Sequence, residues 1–164
     1  MDCCTFSSPM GEIFIAADGE AVCGLWFTGQ KYDRAGLRDM VLTEPENSPA
    51  LSAALDWLTE YFRGKEPTIK VKLRPDGTPF QKRVWEELLT IPYGETLSYG
   101  ELAKHLSSSP RAVGSAVGRN PISLLIPCHR VLGSDGSLTG YAGGVERKKF
   151  LLEQEKNGKL LTNE

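Results

Sequence analysis

The chain has 164 residues and a mass of 18.0 kDa, with 40% hydrophobic and 24% charged residues. This is the composition of a soluble globular protein of one ordinary domain or two small ones, and it excludes disorder and a collagen-like repeat. Net charge is only −2, no run approaches the ~20 apolar residues of a membrane span, and Met1-Asp2-Cys3-Cys4 lacks the basic and apolar regions of a signal peptide, so the chain reads as cytosolic.

The first half opens with strand-like segments. Ile13–Ala17 and Ala21–Phe27 flank Asp18-Gly19, a hairpin signal. Ser48-Pro49 reads as a helix N-cap and first helical residue, followed by Leu51, Leu55, Leu58 and Phe62 at helical spacing, with Gly64 as a stop. This predicts a small ββα-type unit. Lys72–Gly77, with Pro75-Asp76-Gly77, reads as a linker or turn. It divides the chain into an N-terminal domain, residues 1–74, and a C-terminal domain, residues 78–164.

The second half is more helical. Thr78-Pro79-Phe80-Gln81 has a capping-box pattern, and Ile91-Pro92-Tyr93-Gly94 ends the helix it opens. Ser98-Tyr99-Gly100-Glu101 is a second capping box, and Ser109-Pro110 opens a helix to about Gly118. Two short helices joined by Ser107–Ser109 predict a helix-turn-helix. A final helix is expected over about Glu146–Lys156, with Asn157-Gly158 as its stop. Charge divides unevenly. Residues 1–77 carry 8 basic and 12 acidic groups, whereas residues 98–149 carry 7 basic and 3 acidic. A basic patch on the second half follows.

Chemistry concentrates in Asn120-Pro121-Ile122-Ser123-Leu124-Leu125-Ile126-Pro127-Cys128-His129-Arg130-Val131. A cysteine thiolate is the strongest side-chain nucleophile near neutral pH; a histidine can take its proton, and Arg130 can add positive potential. Adjacent residues on a strand point to opposite faces, so Cys128 and His129 cooperate only if the chain turns, as Pro127 allows. The competing reading is a structural cysteine beside a surface histidine. Glu155 could orient His129, with Glu153 or a solvated carboxylate as alternatives. Arg111–Arg119 places Gly114, Ser115 and Gly118 on one helix between two arginines. Small residues there suit close approach to a DNA minor groove, or tight packing on a neighbouring helix. Leu138–Gly144 is a glycine-rich loop with one aromatic, able to wall a flat pocket or to be a plain turn. Cys3, Cys4, Cys23 and Cys128 are expected to be thiols in a reducing compartment. A zinc site lacks its ligands, because His105 and His129 are the only histidines.

These blocks resemble the O6-alkylguanine-DNA alkyltransferases, also called methylated-DNA–protein-cysteine methyltransferases. The resemblance is close over residues 78–156. It runs through Phe80-Gln81, Val84-Trp85, Ile91–Thr96, Ser98-Tyr99, Arg111–Gly114, Asn120-Pro121, Ile126–Val131 and Gly140–Gly144. It is looser in the first half, resting on Ser8–Gly11 and the hairpin. It implies an α+β fold, in which a small ribonuclease-H-like domain precedes a winged-helix, helix-turn-helix domain.

It also implies roles. Cys128 accepts the alkyl group, His129 deprotonates it through a water, Glu155 holds the imidazole, and Asn120 braces the turn. Tyr99 assists base rotation and protonates the leaving guanine. Arg111 fills the gap left by the extruded nucleotide. The expected DNA-contact set is Arg111, Ala112, Gly114, Ser115, Gly118, Arg119 and Arg130, and the pocket set is Tyr141, Ala142, Gly143 and Val131. The partner is double-stranded DNA, bound by a monomer without cofactor or metal. Some relatives hold zinc through two Cys and two His, but the histidines are missing here. A cysteine hydrolase and a non-catalytic DNA-binding protein are the rival readings. The first requires turnover, and the second has no use for Cys128.

Overall fold

A computed structural model describes residues 1–34, 39–138 and 141–162, the last four of these by backbone alone. Strands β1 (Asp2–Ser8), β2 (Gly11–Asp18) and β3 (Ala21–Phe27) form an antiparallel meander. The Asp18-Gly19 turn joins β2 to β3, with Gly19 at φ +62°, the left-handed backbone that favours glycine. Two short parallel edges complete the sheet. β4 (Val41–Leu42) pairs with β1 and β5 (Lys72–Leu73) with β3, giving the order β4-β1-β2-β3-β5. The first two residues of the expected linker are therefore strand, not turn, and Arg74 N–H continues the pairing to Val22 O at 2.8 Å.

Helix α1 (Pro49–Phe62) begins where the sequence predicts. The Ser48 hydroxyl accepts from Leu51 N–H at 3.3 Å, satisfying one of the free amides of the first turn. Its inner face, Leu51, Ala54, Leu58 and Tyr61, is fully buried. It packs on Ile13, Ile15, Ala17, Val22, Leu25 and Phe27 of the sheet. Cys3 and Cys4 point to opposite faces of β1. Cys4 joins this core, whereas Cys3 joins a small outer cluster with Phe14, Ala16 and Trp26.

The second half supplies α2 (Pro79–Leu88), α3 (Tyr99–His105) and α4 (Pro110–Gly118). Both capping boxes form, through Thr78 with Gln81 and Ser98 with Glu101. Ser109 caps α4. Trp85 donates its indole N–H to Ala116 O at 2.8 Å, locking α2 to α4. β6 (Leu97–Ser98) pairs in parallel with β7 (Val131–Leu132). Helix α5 spans Val145–Thr162 and runs through the expected stop at Asn157-Gly158. The glycine serves a close approach: a Cβ at Gly158 would collide with the Tyr93 hydroxyl and lie 2.7 Å from Gly64 O. The two halves share one apolar core. They also share backbone bonds: Leu25 N–H donates to Pro121 O and Ser123 N–H to Leu25 O, both at 2.9 Å. Beyond the two residues that β5 covers, the same edge of β3 thus carries the segment that leads to Cys128.

Candidate active site

The run Ile122–Ile126 enters Pro127, and Cys128–Arg130 then forms a single turn of 3-10 helix before β7. The turn removes the strand objection, because successive side chains no longer alternate between two faces. Asn120 ties the approach. Its amide Nδ2 donates to Ile126 O at 2.8 Å, and its Oδ1 accepts from Ile122 N–H at 3.0 Å. Cys128 is 4% exposed. Burial pushes its thiol up, against opposing pulls from Asn120, Lys148 and Ser123, so the resting sulfur is a thiol rather than a thiolate.

His129 is fully buried, with Nε2 2.5 Å from Glu155 Oε2. That contact selects Glu155 over Glu153. A carboxylate on Nε2 keeps the hydrogen there and leaves Nδ1 as the acceptor. Nδ1 is buried and has no hydrogen-bond partner among the described residues. Burial alone would raise the Glu155 carboxyl, but the charge and hydrogen bonds of His129 and Arg130 hold it well below the usual carboxylate range.

Arg130 does not join the expected DNA-contact set. Its guanidinium is buried, donating from Nε to Glu155 Oε1 at 2.8 Å and from Nη1 to Ile91 O at 2.8 Å. The turn that presents Cys128 sends the next charge inward, to a carboxylate that needs it. Val131 lies in β7 with no exposed surface, as part of the core.

Tyr99 is the first residue of α3. Burial and the neighbouring Cys128 push its phenol up to about 12. On α4, Val113, Ala116 and Val117 are buried, whereas Arg111, Ser115 and, just past its end, Arg119 are exposed and Ala112 is half-buried. A Cβ at Gly118 would meet nothing within 4 Å, and one at Gly114 would touch the Tyr99 ring only at 3.8 Å. Tight packing within the chain therefore does not account for these glycines. The Arg119 guanidinium lies 4.5 Å from the Tyr32 ring centroid, a cation–π stack.

The glycine-rich loop borders the same place. Thr139 and Gly140 fall outside the described residues. Tyr141 is 9% exposed and folds over Gly143, where a Cβ would lie 2.5 Å from its ring. Its hydroxyl has no hydrogen-bond partner among the described residues. Burial and Cys128 hold that phenol well above its ordinary value. A groove of about 350 Å³ is lined by Lys31, Tyr32, Gly114, Ser115, Gly118, Tyr141 and Ala142. Sequence reasoning did not single out Lys31 or Tyr32. Lys31 N–H donates to Ala142 O at 3.4 Å, and Arg147 bridges Met10 O at 3.1 Å and Gly143 O at 3.2 Å. The N-terminal domain thus holds the pocket loop.

Lys148 was also missed. It is fully buried on α5, its Nζ 5.9 Å from the Tyr99 ring centroid. Burial lowers its ammonium to about 8, with Cys128 pulling the other way. A signal existed: Lys148, Leu151 and Glu155 share one helical face at spacings of three and four. Among the described residues, no three His, Cys, Asp or Glu side chains gather as a metal-ligand set.

Comparison with known proteins finds relatives over most of the chain. Residues 1–75 match the family described as 6-O-methylguanine DNA methyltransferase, ribonuclease-like domain, and residues 79–157 match its DNA binding domain. A methylated-DNA–protein-cysteine methyltransferase of Mycobacterium tuberculosis is 46% identical over 155 residues, covering 93% of this chain and 91% of that protein. One from Methanosarcina acetivorans is 45% identical over 152 residues, covering 92% and 95%. The crystal structure of M. tuberculosis OGT in complex with DNA superposes with a TM-score of 0.86 at 42% identity, covering 96% of this chain and 94% of that one. The chain belongs to the methylated-DNA–protein-cysteine methyltransferase family.

Proposed function

We propose that this protein repairs DNA by moving the alkyl group of an O6-alkylguanine onto Cys128, once per molecule. The observation that carries this reading is a buried thiol beside a carboxylate-held imidazole, close to a partly exposed helix whose small residues no internal packing requires. The family relatives are named for this reaction, and an OGT has been solved on DNA. The same reading takes residues 1–74 and 78–164 as the two domains, consistent with the ranges of the two family matches. No described helix is long and apolar enough to cross a membrane. A cytoplasmic monomer acting on double-stranded DNA is part of the proposal.

The chemistry follows from the groups present. The buried thiol rests protonated, so attack needs a base at the moment of reaction. His129 Nδ1 takes the thiol proton through a water, and Glu155 steadies the imidazolium. Sγ attacks the alkyl carbon, an S–C bond forms, and the C–O bond to guanine breaks. Tyr99 gives a proton to the departing guanine, which leaves neutral. Lys148 adds positive potential beside the sulfur and the phenol. Asn120 braces the turn that presents Sγ. Tyr141, Ala142 and Gly143 wall the base pocket, and Gly114, Ser115 and Gly118 let α4 approach the groove floor, with Ala112 and Arg119 beside them.

A lesion inside the duplex is out of reach, so the nucleotide rotates out, at a cost of a few kcal/mol. Arg111, exposed at the start of α4, fills the vacated stack. The product is a thioether with no activated carbonyl for water to attack, so Cys128 is spent. The test mixes the protein with duplex DNA holding one O6-methylguanine, followed by intact-mass and peptide mapping. One methylene gained on Cys128 per base restored supports the reading. Repeated turnover, or tight binding without mass gain, overturns it. Cys128→Ala is expected to abolish transfer and spare DNA binding.

A further inference from the structure

We propose that Tyr61, on α1 of the N-terminal domain, is a positioning residue for alkyl transfer, acting through Glu155 on the proton affinity of His129. The inference rests on the alkyl-acceptor reading of Cys128 and adds a group from the other domain. Tyr61 is fully buried, and its hydroxyl donates to Glu155 Oε2 at 2.6 Å. That distance belongs to a short charge-assisted bond. Oε2 is also the oxygen that His129 Nε2 meets, and Arg130 Nη2 reaches it at 3.2 Å. Arg130 Nε and Gly94 N–H occupy Oε1 at 2.8 and 3.2 Å. Five donors therefore share two oxygens that offer about four lone-pair sites.

The competition has a direction. Every donor on Oε2 other than His129 draws electron density that would otherwise hold the imidazole proton. Removing the Tyr61 hydroxyl leaves a carboxylate that stabilises imidazolium more strongly. The titratable and charged groups facing the pair are Tyr61 from α1, Tyr93 after α2, Arg130 and Cys128 in the turn, and Tyr141 in the pocket loop. Of these, Tyr61 and Arg130 bond the carboxylate directly. Tyr61 is also well anchored. Its ring stacks on Trp57 at 4.9 Å between centroids, and its carbonyl accepts from Gln154 Nε2 at 2.8 Å. The end of α1 is thus tied to α5 at two successive residues, Gln154 and Glu155.

The experiment is the pH dependence of Cys128 capture by iodoacetamide, read by peptide mapping, in the wild-type protein and Tyr61→Phe. Transfer from duplex O6-methylguanine is measured beside it, and its absence bears on the repair reading rather than on Tyr61. The expected result is an acid limb displaced upward by roughly half to one pH unit. Capture at pH 6 then falls about three- to tenfold, while capture at pH 8.5 stays near wild type. A uniform loss at every pH, a fall in thermal stability with an unmoved limb, or a wild-type profile without an acid limb overturns the proposal. If Tyr61→Phe does not fold, 3-fluorotyrosine placed at position 61 is a stronger donor of nearly the same shape. It should move the limb downward, and an unmoved limb would count against the idea.

Discussion

Helices α1 and α5 both bury one face, but with opposite contents. The buried face of α1 is Ala50, Leu51, Ala54, Trp57, Leu58 and Tyr61, whereas that of α5 includes Lys148 and Glu155 with no exposure. Burying apolar area drives folding at about 25 cal/mol per Å². Burying a charge costs several kcal/mol unless partners surround it. Equal burial therefore has different meanings. On α1 it makes a core, and on α5 it marks the groups gathered around the reactive thiol. The one hydroxyl on the buried face of α1, that of Tyr61, points at α5.

The largest test of this contrast is Glu155→Gln. It leaves Arg130 buried without its anion, which should cost about 3–5 kcal/mol. Transfer should also slow by a factor of about 10² to 10⁴, since the base loses its orientation. Equilibrium unfolding and single-turnover transfer measure the two effects. The pH dependence has a definite sign. The folded-state carboxyl lies below its ordinary value of 4.5, so its contribution is fully present above that value and is lost as pH falls through the folded one. The wild type should lose stability in acid more steeply than the Gln variant.

Leu58→Ala should break the other side of the comparison. A fully buried leucine truncated in a packed core costs about 2–5 kcal/mol. Urea unfolding should show that loss, with the transfer rate of the folded fraction unchanged. A slowed folded fraction would erase the distinction between the helices.

Lys148→Met gives the smallest effect, and its opposite signs sharpen the contrast. Volume is nearly kept while a buried charge goes, so stability at pH 7 should hold or rise as transfer slows about tenfold. The wild-type ammonium is lowered from 10.5 to about 8 in the fold. Between those values the unfolded chain holds the proton and the folded one does not, so stability rises with pH there. The Met variant should lack that rise.

What the sequence made legible was local. Ser48-Pro49, Thr78 with Gln81, Ser98 with Glu101 and Ser109-Pro110 announce helix starts, because a cap is a bond between residues three apart. The edges β4 and β5 stayed hidden, since two residues carry no period and their pairing depends on distant strands. The end of α5 was misjudged because Gly158 answers to Tyr93 and Gly64 rather than to its own helix. At the site, the order of Asn120, Cys128 and His129 was readable, and so was their family. The family resemblance named Glu155, which residue spacing alone left open against Glu153, but the inward turn of Arg130 and the burial of Lys148 were not readable. Each depends on which way a side chain points after the chain has turned.

The bonds between Leu25 and the Pro121–Ser123 segment bear on synthesis as well as on the folded state. During translation the N-terminal half emerges first, with the β3 edge at Leu25 still open. An open edge offers its amides and carbonyls to any passing extended chain. At Leu25 that edge is covered by the residues just ahead of Cys128. The stretch that leads to Cys128 is therefore also the one that closes this edge of the N-terminal sheet.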